Sequence, residues 1–281
     1  SGCGSLLFEP QSTNLITYSE DIDSWSKVGS VTISSNNATS PQGVQNASLI
    51  LPNAGTGSFG VINLISKSAS SITYTLSGFA KAKDYNFLIL RIDSGAANGL
   101  QGAFDLSDGT ISTAFSINGT GFTLIDADIK PYENNWYRYE VSFTTDSLGL
   151  LRTIFYVSNV TGNGFSVPSY TANGTDGILF YGAQLEEQSY ATSYIPTEGT
   201  TKTRNQDLCT NGGDVSLINS TEGTLYAEIA ALSDEGTTRH ISISDGASSN
   251  SINIYYFASS SYIFFQKFVN GVRTTNVNTT S

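Results

Sequence analysis

The sequence predicts an all-β protein made of antiparallel β-sandwiches, and three observations indicate this class. Glycine, serine, threonine and asparagine dominate the 281 residues, and the aromatic residues are mainly 15 tyrosines and 15 phenylalanines, which favour strands over helices. No ten-residue stretch has the 3.6-residue apolar period of an amphipathic helix. Short β-branched and aromatic runs recur instead, separated by turn-forming pairs such as Asn118-Gly119 and Asn173-Gly174. The absence of a βαβ pattern argues against a parallel sheet.

Ten apolar runs between residues 30 and 185 each predict a strand. In the run that begins with Trp136, the residues Trp136, Arg138 and Glu140 alternate with Tyr137 and Tyr139, so one face can be buried and the other solvated. Ten such strands over this length fit the two packed antiparallel sheets of a jelly roll. The predicted strands are 30–34, 47–51, 60–64, 72–82, 87–93, 102–105, 122–129, 136–144, 151–157 and 177–185.

A polar, turn-rich segment near residues 196–214 predicts a domain boundary. Strands are predicted again after it, at 223–231, 240–244, 251–257 and 262–268, followed by a tight turn at Asn270-Gly271. Because about 70 residues are few for a complete sandwich, we expect this second domain to continue beyond Ser281. The predicted organisation is residues 1–12 as an N-terminal linker, 13–198 as the jelly roll, 199–212 as a linker and 213–281 as the start of a second sandwich.

Composition and charge argue against several classes of partner. The chain has 13 Lys and Arg residues against 24 Asp and Glu residues, a net charge of −11, with no basic cluster that would bind nucleic acid or anionic lipid. No stretch reaches the ~18 apolar residues of a transmembrane helix, so we expect no membrane insertion. The first residues do not have the pattern of a signal peptide. A single histidine, His240, argues against a histidine metal cluster or a histidine relay.

Four segments of residues 6–207 resemble a module of tailed-bacteriophage virion proteins. They are residues 6–21 (LLFEPQSTNLITYSED) with Trp25, residues 41–43 (PQG), residues 135–139 (NWYRY) and residues 181–204, which begin YGAQLEE. The module itself is similar to a carbohydrate-binding jelly roll. Residues 207–226 resemble the beginning of a concanavalin A-like (laminin G-like) sandwich.

The resemblance implies a tail-fibre, tail-spike or head-fibre component exposed on the virion surface. It further implies association with other virion proteins, a homotrimer, contact with host-surface or environmental polysaccharide, and additional sequence at both ends of this chain. Two alternatives stay open at this point: a structural spacer or decoration protein that binds no glycan, and the binding appendage of a secreted polysaccharide-degrading enzyme.

The resemblance also implies a structural Ca²⁺, because related jelly rolls bind one between the N-terminal segment and the last strand. The oxygen-bearing residues there are Glu20, Asp21 and Asp23 in the first segment and Gln184 and Glu186 in the second, and Ca²⁺ takes 6–8 oxygen ligands. The alternative is that these are solvated side chains at a loop and a strand end.

A glycan site requires exposed aromatic rings beside polar groups. Tyr85 and Tyr132 lie in loop-like sequence beside acidic residues, and Trp136 precedes Arg138 on one strand face, so these four are the candidate glycan contacts. Packing inside the domain is the alternative for Trp136, and the family pattern favours it. The interior of a trimer is another alternative for the aromatic residues.

We expect no catalytic residue in this chain. The Gly-x-Ser-x-Gly motif is absent, and sequence spacing alone cannot place two carboxylates ~5–10 Å apart for glycoside hydrolysis. Cys3 and Cys209 flank the first module, and because the termini of jelly rolls are often close, a Cys3–Cys209 disulfide is a reasonable hypothesis. Two free thiols are the alternative if assembly takes place in a reducing cytosol.

Overall fold

A computed structural model of the chain describes residues 7–95, 98–207, 227, 239–244, 246–257 and 262–280. The chain divides into two compact units, residues 1–208 and 209–281. Cys3, Cys209 and nearly all of the strand predicted at 223–231 lie outside the described residues. Within the described part, no helix has the length and apolar character needed to cross a membrane.

The N-terminal unit consists of strands and two single-turn 3₁₀ segments, Ile22–Ser24 and Glu133–Asn135, in the residues that the structure describes. Its strands are β1 (Ser12–Asn14), β2 (Ser26–Val28), β3 (Val31–Thr39), β4 (Gln45–Pro52), β5 (Gly55–Gly57), β6 (Phe59–Ser66), β7 (Thr73–Ala82), β8 (Phe87–Asp93), β9 (Gly99–Asp105), β10 (Thr110–Asn118), β11 (Thr123–Pro131), β12 (Tyr137–Thr144), β13 (Leu150–Ser158), β14 (Tyr170–Ala172), β15 (Ile178–Glu186) and β16 (Lys202–Arg204).

Two six-stranded antiparallel sheets form this unit. The first has the strand order β10-β9-β8-β13-β6-β2 and the second β11-β12-β7-β15-β4-β3, while β1-β16 and β5-β14 form two short ribbons. Both large sheets contribute side chains to one buried core. The predicted all-β class and antiparallel sandwich are therefore confirmed.

Aromatic side chains join the two sheets at the centre of the core. Phe155 of the first sheet meets Phe180 of the second at 5.0 Å between ring centroids, and Phe104 stacks on Tyr139 at 5.8 Å. Tyr139 is completely buried, so desolvation raises its pKa well above the ordinary value. Gly78 lies opposite it in β7, and any Cβ at that position would collide with the Tyr139 hydroxyl.

All ten predicted strands of the first module are present, and the strand predicted at 87–93 has the bounds of β8. Strand β10 was not predicted, because two register shifts against β9 interrupt its apolar alternation. A further difference concerns the predicted linker at 199–212. Lys202–Arg204 within it form β16, which pairs with β1 at Ser12–Asn14, so this part of the linker belongs to the N-terminal unit.

The C-terminal unit is a four-stranded antiparallel meander in its described part: β17 (Arg239–Ser244), β18 (Ser251–Phe257), β19 (Tyr262–Val269) and β20 (Val272–Thr280). Three of these match predicted strands. Asn270 and Gly271 form the predicted tight turn, both with positive φ, and the pairing continues beyond it into β20. That this unit begins a concanavalin A-like sandwich stays a prediction.

Candidate functional site

The first and the last of the segments that carry the sequence resemblance meet in a buried polar network, here called the clasp: Ser12, Asn14, Ser19, Gln184, Glu186, Thr192 and Thr197. The Asn14 amide donates to the carbonyl oxygens of Ala183 at 3.1 Å and Ile195 at 2.9 Å. Its Oδ1 accepts from the backbone N–H groups of Ile16 and Leu185, each at 3.1 Å. A fully buried amide with all four bonds made ties the first segment to the last strand and the segment after it.

Glu186 occupies the other end of the clasp and is also completely buried. Its Oε1 accepts from Ser12 Oγ at 2.6 Å, Thr192 Oγ1 at 2.5 Å and Gln188 Nε2 at 3.1 Å. Its Oε2 accepts from Gln184 Nε2 at 2.8 Å and Thr192 N–H at 2.9 Å. Five donors therefore surround this carboxylate, which makes it an internal hydrogen-bond acceptor.

Of the other predicted calcium ligands, Gln184 lies beside Glu186 in the clasp, whereas the three acidic residues of the N-terminal segment have separate surroundings. Glu20 accepts from the hydroxyls of Tyr181 at 2.9 Å and Tyr194 at 3.1 Å, while Asp21 and Asp23 are exposed and Asp23 pairs with Lys27 at 2.7 Å. In the described ranges, no three His, Cys, Asp or Glu side chains are grouped so as to hold a metal ion. The structural Ca²⁺ stays a prediction that these side-chain positions do not support.

Two of the four predicted glycan contacts are buried. Tyr85 retains 3% of its surface and packs edge-on against Tyr170 at 5.5 Å, so the prediction that its loop leaves it exposed is wrong. Burial also raises its pKa. Trp136 retains 2% and its indole N–H donates to the Thr39 carbonyl at 3.2 Å. The packed position favoured for Trp136 is therefore the one observed.

The other two candidates lie together on the outer face of the second sheet. Tyr132 is 47% exposed, and its ring packs edge-on against Phe79 at 5.3 Å. The Arg138 guanidinium lies 5.7 Å from the same Phe79 ring and 3.5 Å from Glu140 Oε1. Lys130 reaches the other Glu140 oxygen at 3.6 Å. Tyr132, Arg138, Glu140 and Lys130 form the Tyr132 surface.

A second feature, which the sequence did not indicate, lies at one end of the sandwich. Residues of four loops line an open cleft of about 440 Å³ beside Asp146: Ser71 after β6, Asn98 before β9, Thr120 and Gly121 after β10, and residues 145–148 after β12. We call it the end cleft. Its polar residues come from four loops that are distant in sequence, so no local sequence motif predicts the cleft.

No protein-family model and no curated protein sequence matches the chain. Among solved structures, it is similar to the enzymatically active domain of bacteriophage CBA120 tailspike protein 4, with 12% identity and a TM-score of 0.36, over 61% of this chain and 21% of that one. It is also similar to TmCBM61, solved in complex with β-1,4-galactotriose, with 13% identity and a TM-score of 0.26, over 52% of this chain and 97% of that one. The chain thus spans about a fifth of the tailspike chain. Neither TM-score reaches 0.5, so neither likeness bears on function.

Proposed function

We propose that the N-terminal unit is a non-catalytic glycan-binding module of a bacteriophage tail fibre, tail spike or head fibre, exposed on the particle and assembled as a trimer with other virion proteins. The observation that carries this proposal is the Tyr132 surface, where an exposed aromatic ring is held beside charged hydrogen-bonding groups. Its ligand is a host-surface or environmental polysaccharide.

The geometry suits a sugar chain lying across the sheet. An aromatic ring offers an apolar face for the C–H groups of a pyranose, and the contact with Phe79 at 5.3 Å limits the rotamer freedom that binding would otherwise remove. Arg138 and Lys130 are register partners on β12 and β11, and Arg138 pairs with Phe79 of β7. The two cationic side chains therefore lie in one row across the strands with Phe79, and Glu140 lies two residues further along β12, opposite Asp128.

The net charge of −11 indicates which glycans are suitable. Long-range repulsion lowers the association rate of polyanions, and the positive groups of the Tyr132 surface are already paired with Glu140 and Asp128 at 3.2–3.6 Å. Neutral polysaccharides are therefore the expected ligands.

A spacer role without glycan binding is the second candidate, and one observation favours it. Tyr85 and Trp136, which could have widened an aromatic platform, are packed inside the unit. Because Tyr132 is the one exposed ring among the four described residues of the Tyr132 surface, a single module binds weakly unless several copies act together.

The test is binding of the purified chain to a panel of neutral and acidic bacterial and algal polysaccharides, with calcium and with chelator. We expect Tyr132→Ala to weaken binding at least tenfold. Tyr18→Ala is the matched control, because Tyr18 is likewise an exposed tyrosine, 38% accessible. If the folded wild-type chain binds no member of the panel, or if both variants bind equally, the spacer role replaces the proposal.

A further inference from the structure

We infer that the end cleft is a second binding site of the N-terminal unit, which takes a single neutral sugar unit, such as the exposed end of a glycan chain. The site is distinct from the Tyr132 surface, and its ligand class rests on the proposed glycan-binding function.

Asp146 organises the cleft, because it connects four loops. Ser94 Oγ of the β8–β9 loop donates to its Oδ2 at 2.6 Å, and Lys67 Nζ of the β6–β7 loop donates to its carbonyl at 2.8 Å. Leu148 N–H donates to its Oδ1 at 3.1 Å. In the β10–β11 loop, Gly121 approaches so closely that a Cβ there would lie 2.7 Å from the Asp146 Cβ. The walls of the cleft are therefore held in place before a ligand arrives.

The lining offers the groups that bind sugar hydroxyls. The carboxylate of Asp146, 9% exposed, lies beside the amide of Asn98 and the exposed hydroxyls of Ser71, Thr120 and Ser147. Each hydroxyl both donates and accepts, as sugar hydroxyls do. The volume of about 440 Å³ lies within the ~300–1,000 Å³ range of small-molecule sites, which suits a sugar ring better than a single ion.

The charges of the cleft argue against other ligands. Lys67, the nearby cation, donates to three carbonyl oxygens, those of Ser68, Ser70 and Asp146, at 2.8–3.2 Å. It is therefore committed to the protein, and a ligand carboxylate or phosphate would face Asp146 without a free positive partner. A calcium ion needs 6–8 oxygens, whereas Asp146 is the one acidic side chain of the described lining.

The side chains of the site indicate which part of a glycan it takes. The described lining contains no aromatic ring on which a chain could stack, whereas the Tyr132 surface presents an exposed ring. Hydrogen bonds to one sugar unit are therefore the expected mode here, and stacking of an internal unit is the mode expected at Tyr132.

The experiment is a ligand-observed NMR titration of the whole chain with methyl glycosides of neutral hexoses, deoxyhexoses and N-acetylhexosamines. Ser147→Trp fills the cleft from an exposed position, and Asp146→Asn removes the carboxylate charge but keeps its shape. Ser107→Trp is the matched control, since Ser107 is an exposed residue of the β9–β10 turn, which lies at the opposite end of β9 from the β8–β9 loop.

We expect saturable binding of at least one glycoside, weakened more than tenfold by Ser147→Trp and by Asp146→Asn, and unchanged in Ser107→Trp. The inference is overturned if no glycoside binds, if Ser147→Trp binds as the wild type does, or if Ca²⁺ alone occupies the cleft. The two proposals can be tested separately. If Tyr132→Ala abolishes polysaccharide binding and Ser147→Trp does not, only the Tyr132 surface is supported as a binding site.

Discussion

Replacing Asn14 by aspartate tests whether the clasp holds the N-terminal unit together. The substitution keeps the shape of the side chain but replaces the amide nitrogen by an oxygen that faces the carbonyl oxygens of Ala183 and Ile195 at 2.9–3.1 Å. Two hydrogen bonds disappear, and two buried carbonyl groups lose their donor. At ~1–3 kcal/mol for each unsatisfied group, the expected loss is about 2–6 kcal/mol, a large part of the ~5–15 kcal/mol that stabilises a typical domain.

The pH dependence of this variant follows from the same geometry. A carboxylate buried against two carbonyl oxygens is disfavoured, so the folded state raises the pKa of the introduced carboxyl group above the ordinary ~3.9 of an aspartate. Protonated, the group can donate to one of the two carbonyls. The stability deficit of Asn14→Asp is therefore smallest in acid and grows as the pH rises through the raised pKa.

Urea unfolding followed by tryptophan fluorescence measures the effect on this unit alone, because both tryptophans of the chain, Trp25 and Trp136, lie buried within it. The matched control is Asn37→Asp, at an exposed position where the amide donates only to Ser34 Oγ. A deficit for Asn14→Asp within about 0.5 kcal/mol of the control, the range of ordinary surface changes, would refute the stabilising role of the clasp.

Three further outcomes are expected from the same urea assay. Tyr139→Phe should stabilise the unit by about 1 kcal/mol, because the buried hydroxyl has no hydrogen-bond partner among the described residues. A decrease in stability would contradict this and would indicate that the hydroxyl forms a hydrogen bond. Glu186→Gln should lower the free energy of unfolding by about 2–4 kcal/mol, because charge-assisted hydrogen bonds are lost. Glu187→Gln, at an exposed position, should leave it almost unchanged, and equal effects of the two substitutions would contradict the prediction. Burial and the Glu187 charge raise the pKa of Tyr74 from 10 to about 12, so the stability that this neutral phenol supports is lost as the pH rises from about 10 to 12. Tyr74→Phe should therefore reduce the fall in stability between about pH 10 and 12. An unchanged pH dependence would contradict the role given to Tyr74.

Sequence pattern was sufficient where a strand is continuous and the turns around it are local. Strand β8 begins with four consecutive apolar residues, 87–90, and its bounds were predicted correctly. Strand β10 was missed because bulges disturb its alternation, and β16 was missed because its partner β1 lies about 190 residues earlier. A pairing over such a distance leaves no periodicity within either segment.

The site predictions failed where burial depends on distant residues. Tyr85 follows Lys83 and Asp84 and therefore reads as a surface loop, but Tyr170, 85 residues later, packs against its ring. Glu186 was predicted to be a free oxygen ligand because its carboxylate is evident from the sequence, whereas the five donors that surround it in the fold are not. In both cases the local sequence describes the side chain correctly and its surroundings wrongly.

The distribution of satisfied and unsatisfied polar groups separates structure from recognition in this unit. Asn14 and Glu186, which lie in the first and last of the segments that carry the resemblance, use their hydrogen-bonding capacity inside the clasp. These two side chains therefore stabilise the closure of the sandwich and have no polar group left for a ligand. Ligand choice must therefore depend on groups that face solvent, such as the Tyr132 ring and the hydroxyls of the end cleft. Substitutions at these positions should change glycan preference without changing stability, and substitutions in the clasp should do the reverse.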